Sequence, residues 1–297
     1  MFNYERDENR VSLRFEGVYM DSRVYVNGQL VGEWKYGYST FEFNITDFLR
    51  DGENLVSVRV DHREPNSRWY TGAGIYRRVW LKKYPQTHLL SDGVYISADM
   101  DGNVTVSVEA ERPEGESVAD LKVRHSIYKD GEFITSVENA CCAVDTRTIP
   151  EPVRRDGVRY SVNTDSLFVK NPKLWDIETP ELYSCVTELI KDGQVIDTEE
   201  NRFGFRKIEF TCNHGFFLNN RHVKLHGACD HHDLGALGAA VNPVAIRRKL
   251  STLRSMGVNA IRTSHNMPAV EYMEAADEMG FLILSESFDM WEMAKTT

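Results

Sequence analysis

The strongest constraint on this chain is a period of two in its apolar residues, which runs through the first two thirds and then stops. Val11, Leu13 and Phe15, then Val24 and Val26, then Val56, Val58 and Val60 fall on alternate positions, so each set lines one face of a half-buried strand. Asn27 and Gly28 separate two such runs in "VYVNGQLVG", and this pair tolerates the positive φ angles of a tight hairpin. Short strands with close turns and no long helical pattern predict a β-sandwich over residues 1–85. A second all-β stretch covers residues 86–207, with "NVTVSVEAE", "LKVRHSIYKDGEFI" and "YSCVTELIKDGQVIDTEE" as strands and Asp130-Gly131 and Asp192-Gly193 as turns. Its length and its Pro-containing middle, "TIPEPVRR", predict a separate immunoglobulin-like sandwich.

Over residues 208–297 the period changes. "FFLNNRHVKLHGA" reads as a hairpin leading into a strand, and "NPVAIRRKLSTLRSMG" as a helix capped by Asn242, with Pro243 in its first turn, a stripe of Ile246, Leu250 and Leu253, and Gly257 at its end. "VNAIRTSH" is then a buried strand, "PAVEYMEAADEMG" a second capped helix, and "FLILSES" a third strand. This alternation predicts right-handed βαβ units on a parallel sheet, the start of a (β/α)8 barrel. With only part of a barrel, Phe281, Leu282 and Ile283 are expected to lie uncovered, and proteolysis is expected to trim the chain back to near residue 208.

Composition narrows the partners. Lys plus Arg at 35 against Asp plus Glu at 45 gives a net charge of -10, which disfavours nucleic acid and anionic membranes, and no apolar run reaches the length of a membrane span. The five cysteines, Cys141, Cys142, Cys185, Cys212 and Cys229, form no CxxC pair, and "MFNYERDENR" lacks an apolar signal segment. A reducing cytoplasm is the expected location.

In a (β/α)8 barrel the chemistry lies where strands end. Here the strands run out into "HGACDHHD", "TSHN" and "SESFDMW". Adjacent His231 and His232 are poorly spaced to converge on one ion, and Cys229 lacks the strained-elbow context of a nucleophile, so it reads as a buried reduced thiol. Hydrogen bonding to a polyol fits better. Sugar hydroxyls need mixed donors and acceptors and their C–H faces need flat walls, which His231, His265, Asn266, Phe288 and Trp291 offer. Glu286 and Asp289 resemble the acid pair of glycoside hydrolysis but sit only three residues apart on one loop. Glu286 is therefore read as an orienting group and Asp289 as structural.

Taken in order, "DHREPNSRWYTGAGIYRRVWL", "GFRKIEF", "GFFLNNRHVKLHGACDHHDLGALG", "LRSMGVNAIRTSHNMP" and "ESFDMW" closely resemble glycoside hydrolase family 2, most of all its β-galactosidases. The resemblance covers essentially the whole chain. It implies a jelly-roll sugar-binding domain, an immunoglobulin-like linker domain and the start of the catalytic barrel. It also implies that His231 and His265 contact the galactosyl residue, and that Arg68, Trp69 and Tyr70, from a first-domain loop that reaches toward the active site in such enzymes, are secondary contacts. Some members bind magnesium through a Glu and a His just after strand 3, where this chain has Met290 and Glu292, so the ligand pair is not matched. The family's acid/base and nucleophile are expected beyond Thr297, and an earlier part of the first sandwich before Met1, so the chain is expected to be an internal fragment or a truncated gene model that is inactive alone.

The expected substrate is a β-galactoside or related oligosaccharide, cleaved with retention by a protein that can be a homo-oligomer. Residues 230–238 carry no Arg or Lys, and Arg262 is expected to pair with a neighbouring carboxylate, so a uronic acid is disfavoured. A β-glucuronidase or β-mannosidase remains open within the family, and a non-catalytic carbohydrate-binding protein or an inactive remnant outside it.

Overall fold

Asn27 and Gly28 adopt φ angles of 52° and 83°, and Val26 pairs with Gln29 across them, so the strands Ser22–Val26 and Gln29–Trp34 form the expected hairpin. The Asn27 side chain fixes the turn by donating to Phe48 O and Asn54 Oδ1 and accepting from the Leu55 amide. Ser22–Val26 also pairs antiparallel with Val56–Val60, and a second sheet places Arg10–Phe15 between Val79–Tyr84 and Phe41–Asn44. Val11, Leu13, Phe15, Val24, Val26 and Ile45 fill the space between the sheets. The period of two thus becomes one apolar layer of a jelly-roll sandwich.

The structure, a computed structural model, describes residues 1–63, 69, 72–144 and 158–288, and the chain divides into two compact units. One unit combines residues 1–83 with 225–297; the other is residues 84–224. The latter is an immunoglobulin-like sandwich. Among the described residues its two four-stranded sheets are His88–Ala98, Asn103–Pro113, Val158–Phe168 and Cys142–Ala143, against Glu132–Ala140, Leu121–Lys129, Tyr183–Lys191 and Gln194–Phe203. Val104, Val106, Val123, Ile127, Cys185 and Leu189 are wholly excluded from solvent between them. Both Asp-Gly turns take positive φ at each residue. The strands Ile208–Thr211, Gly215–Leu218 and Arg221–His222 form a small sheet that belongs to this unit.

From residue 225 the chain builds β1 (Gly227–Asp230), α1 (Pro243–Ser255), β2 (Ala260–Thr263), α2 (Val270–Met279) and β3 (Leu282–Leu284), with the three strands parallel in the order β1-β2-β3. This is the opening of a (β/α)8 barrel. Asn242 Oδ1 accepts from the Ala245 amide at 3.0 Å, and Ile246 and Leu250 are buried, as the sequence predicts. The second helix departs from its prediction, because it starts at Val270 after Ala269, which has no side chain able to cap it. Gly280, at φ 73°, closes its far end.

Phe281 and Leu282, expected to lie uncovered, are buried at 2% and 8% exposure, while Leu284 is 65% exposed. Phe281 packs beneath the helices with Ile261, Tyr272 and Ala276. The first sandwich also covers the barrel segment. Val241 N donates to Tyr76 O at 2.9 Å, Arg77 Nη2 donates to Met267 O at 2.7 Å, and Arg78 Nε meets the buried Glu271 carboxylate at 2.6 Å. Residues 225–288 are therefore expected to stay attached to residues 1–83 under limited proteolysis rather than being trimmed. Arg78→Ala, which leaves the Glu271 charge buried without its cation, is expected to cost about 1–3 kcal/mol and to hasten cleavage in this segment. Mass spectrometry of the digests reads the difference, and identical digestion of both proteins would return the segment to the status of a loose appendage.

Candidate functional site

The parallel register aligns Cys229 with Arg262 and Arg262 with Leu284, so β1, β2 and β3 end along one edge. Side chains alternate across the strands, and Ile261 and Thr263 are buried at 1% and 6% exposure under the helices. Arg262 projects from the opposite face. There its Nε donates to Glu286 Oε1 at 2.5 Å, and Glu286 Oε2 lies 2.7 Å from His265 Nδ1. The Glu286 amide donates to Thr263 Oγ1 at 3.0 Å, which fixes the main chain that carries this carboxylate.

Partial burial raises the Glu286 carboxyl, but the bonds from His265 and Arg262 outweigh that and hold it below the usual carboxylate range. Arg262 Nη2 also approaches His265 Nδ1, at 3.2 Å. Only one of these contacts can decide the tautomer. The shorter, charge-assisted contact with Glu286 requires a proton on Nδ1, so His265 donates to that carboxylate.

His231 stands edge-on to His265, with ring centroids 5.7 Å apart at 89°, and stacks on Trp69 at 3.8 Å and 11°. A flat aromatic wall and two imidazole edges thus meet beside an ionised carboxylate. Burial and then the neighbouring His265 push the His231 pKa down, so the ring is neutral near pH 7. His232 points elsewhere. It packs edge-on against Tyr38 at 5.1 Å, and burial and then Arg77 lower its pKa to about 4.

Behind His231 is a second cluster. Lys249 Nζ, from α1, donates to Asp230 Oδ1 at 2.8 Å, Asp233 O at 2.8 Å and His231 O at 3.2 Å, while Tyr272 OH donates to Asp230 Oδ2 at 2.7 Å. Asn266 and the buried Ser264 line a small cavity of about 40 Å3 with His231 and His232.

Four of the candidate residues, His231, His265, Glu286 and Trp69, therefore converge, and Asn266 lies deeper. Arg68, Tyr70 and Trp291 lie outside the described residues, as do Asp289, Met290 and Glu292. Phe288 is 61% exposed. Cys229 is exposed rather than buried, because it shares the outward face with Arg262, whose Nη1 reaches its sulfur at 3.5 Å; that bond and Ser264 lower the thiol pKa. The loop 230–238 is also not free of cationic influence, since Lys249 reaches it from the helix. Lys249 borders the apolar stripe of Ile246, Leu250 and Leu253, and that position was the available clue: a long amine there can follow the stripe and emerge beyond it.

No group of three His, Cys, Asp or Glu side chains among the described residues is placed to hold a metal ion. Glu286 and Asp230 each have both oxygens engaged by protein donors, which does not fit a magnesium ligand set.

Three family models match in sequence order: glycosyl hydrolases family 2, sugar binding domain, over residues 3–85; glycosyl hydrolases family 2 over 87–206; and glycosyl hydrolases family 2, TIM barrel domain, over 210–295. The β-galactosidase BoGH2A of Bacteroides ovatus is 41% identical over 96% of this chain and 33% of its own length. A β-glucuronidase of Bacteroides fragilis is 30% identical over 93% of this chain and 40% of its own. The crystal structure of a glycosyl hydrolase family 2 member from Bacteroides cellulosilyticus superposes with a TM-score of 0.86 at 34% identity, covering 97% of this chain and 36% of that one. The chain spans about a third of the length of these relatives.

Proposed function

Because the chain belongs to glycosyl hydrolase family 2, we propose that the protein carrying it is a retaining β-galactosidase acting on terminal galactosides, and that this segment supplies one wall of the galactosyl pocket. Relatives named β-galactosidase and β-glucuronidase both match, so the choice between sugars turns on charge. A uronate needs a cation free to bind its carboxylate. Among the described residues, the two cations that reach this edge are spent on the protein itself, Arg262 on Glu286 and Lys249 on Asp230, and this pairing carries the reading. A neutral galactoside needs only the remaining polar edges: the Nε2 edge of His265 and the imidazole edge of His231 can bond its hydroxyls, and Trp69 forms part of the wall.

In the complete enzyme, β-galactosides are expected to be cleaved in preference to β-glucuronides, and His265→Ala to lower kcat/KM by more than about tenfold. A side-by-side assay of the two nitrophenyl glycosides tests the first. A preference for the glucuronide would mean that Arg262 leaves Glu286 to bind the sugar carboxylate, and an unaffected His265→Ala would remove that residue from the pocket. A non-catalytic sugar-binding role is the second reading, favoured by the exposed Trp69 stacked on His231; galactoside binding by the whole protein without turnover would establish it.

A further inference from the structure

Lys249 lies on α1, 18 residues after His231 and 16 before His265, yet its ammonium is saturated by the loop that bears His231. An ammonium has three hydrogens, and three acceptors surround this one: a carboxylate oxygen of Asp230 and the main-chain carbonyls of His231 and Asp233. Two of those acceptors are backbone atoms on either side of His232. The contact therefore sets the path of residues 231–233, whereas a simple ion pair would restrain only a side chain. The other oxygen of Asp230 is held by Tyr272, from α2, so the carboxylate that anchors the lysine is itself anchored.

From this we infer that Lys249 is a positioning residue for the sugar site, holding the loop so that the His231 ring lies flat on Trp69 and edge-on to His265. The inference rests on the proposed role of His231 in the galactosyl pocket. Without the cation, two carbonyls and a partly buried carboxylate lose their donor, the loop relaxes toward water, and the stack at 3.8 Å is the first contact to suffer. The lysine charge also helps keep His231 neutral, after burial and His265, which preserves the ring as a hydrogen-bonding edge rather than a cation.

The test uses Lys249→Met, with Lys249→Gln as a milder change that keeps an amide donor, and Tyr272→Phe as the comparison that removes the other Asp230 bond but touches no loop carbonyl. Trp69 emission is read in the 297-residue chain as a difference spectrum against Trp69→Phe. Affinity for isopropyl β-D-thiogalactoside is read in the complete protein. Lys249→Met is expected to change Trp69 emission and to weaken the thiogalactoside by about tenfold, with Lys249→Gln between it and the wild type. Tyr272→Phe is expected to lower Tm while moving the affinity by less than about twofold. Affinity losses that follow Tm equally in the lysine and tyrosine variants, or Trp69 emission unaltered by either lysine variant, would overturn the inference and leave Lys249 a plain structural residue. Should the wild-type protein bind no galactoside, the proposed function fails, and the emission change alone decides whether Lys249 holds the His231 loop.

Discussion

The 297-residue chain alone is expected to release no nitrophenol from β-galactosides above the buffer rate. Retaining hydrolysis needs two carboxyl groups about 5–5.5 Å apart across the glycosidic bond, one able to give up a proton and one free to attack. Among the described residues, Glu286 is the carboxylate bonded to His265, and it meets neither requirement. Its pKa is held low, so it carries no proton to donate near neutral pH, and its two oxygens are occupied by Arg262 and His265. Asp230 is likewise spent on Lys249 and Tyr272. The arrangement suits binding and orientation, which is the part that the proposed function gives to this segment. Turnover that persists through rigorous purification and vanishes in Glu286→Gln would show that Glu286 is itself catalytic.

What the sequence made legible follows the range over which a signal acts. Turns are local, and Asn27-Gly28, Asp130-Gly131 and Asp192-Gly193 all take the predicted positive φ. The start of α1 is equally local, since Asn242 and Pro243 act on the next three residues. The convergence of His231, His265 and Glu286 was readable because parallel strands end at a common edge, so three loops that follow strands must be neighbours.

Contacts between distant segments had no such rule. Nothing in the period of α1 says how far Lys249 extends beyond the helix, and nothing in the Arg77-Arg78 pair says that its partners are Met267 and Glu271, about 190 residues away. The exposure of Cys229 and the burial of Phe281 failed for a related reason. Alternation assigns residues to opposite faces of a strand, but which face is covered depends on the helices and on the first sandwich packing there.

Acid should weaken the unit formed by residues 1–83 and 225–297, and His232 should be responsible for a defined share. Its ring lies against Tyr38 and Tyr76 beside the buried Arg77 guanidinium, with Asp233, His231 and Lys249 as its other charged or titratable neighbours. Burial, reinforced by Arg77, lowers the folded-state pKa from 6.5 to about 4. The unfolded chain therefore takes up the proton first. The contribution to stability is complete above pH 6.5, is lost as pH falls toward 4, and levels off below, amounting to about 3 kcal/mol by pH 4. Glu286 and Glu116, whose pKa values are also lowered, destabilise the protein in acid with the same sign, so the His232 share has to be read as a difference. His232→Phe keeps an aromatic ring against Tyr38 and cannot take a proton. Urea unfolding at pH 7 and pH 4, at constant ionic strength, is expected to show a gap between the two pH values that is smaller by about 3 kcal/mol in the variant. Parallel pH profiles would mean that water reaches His232 freely and that its ring is no part of the packed seam. A reduced gap would place an acid-sensitive point of the unit at His232, next to the His231 wall of the proposed sugar pocket.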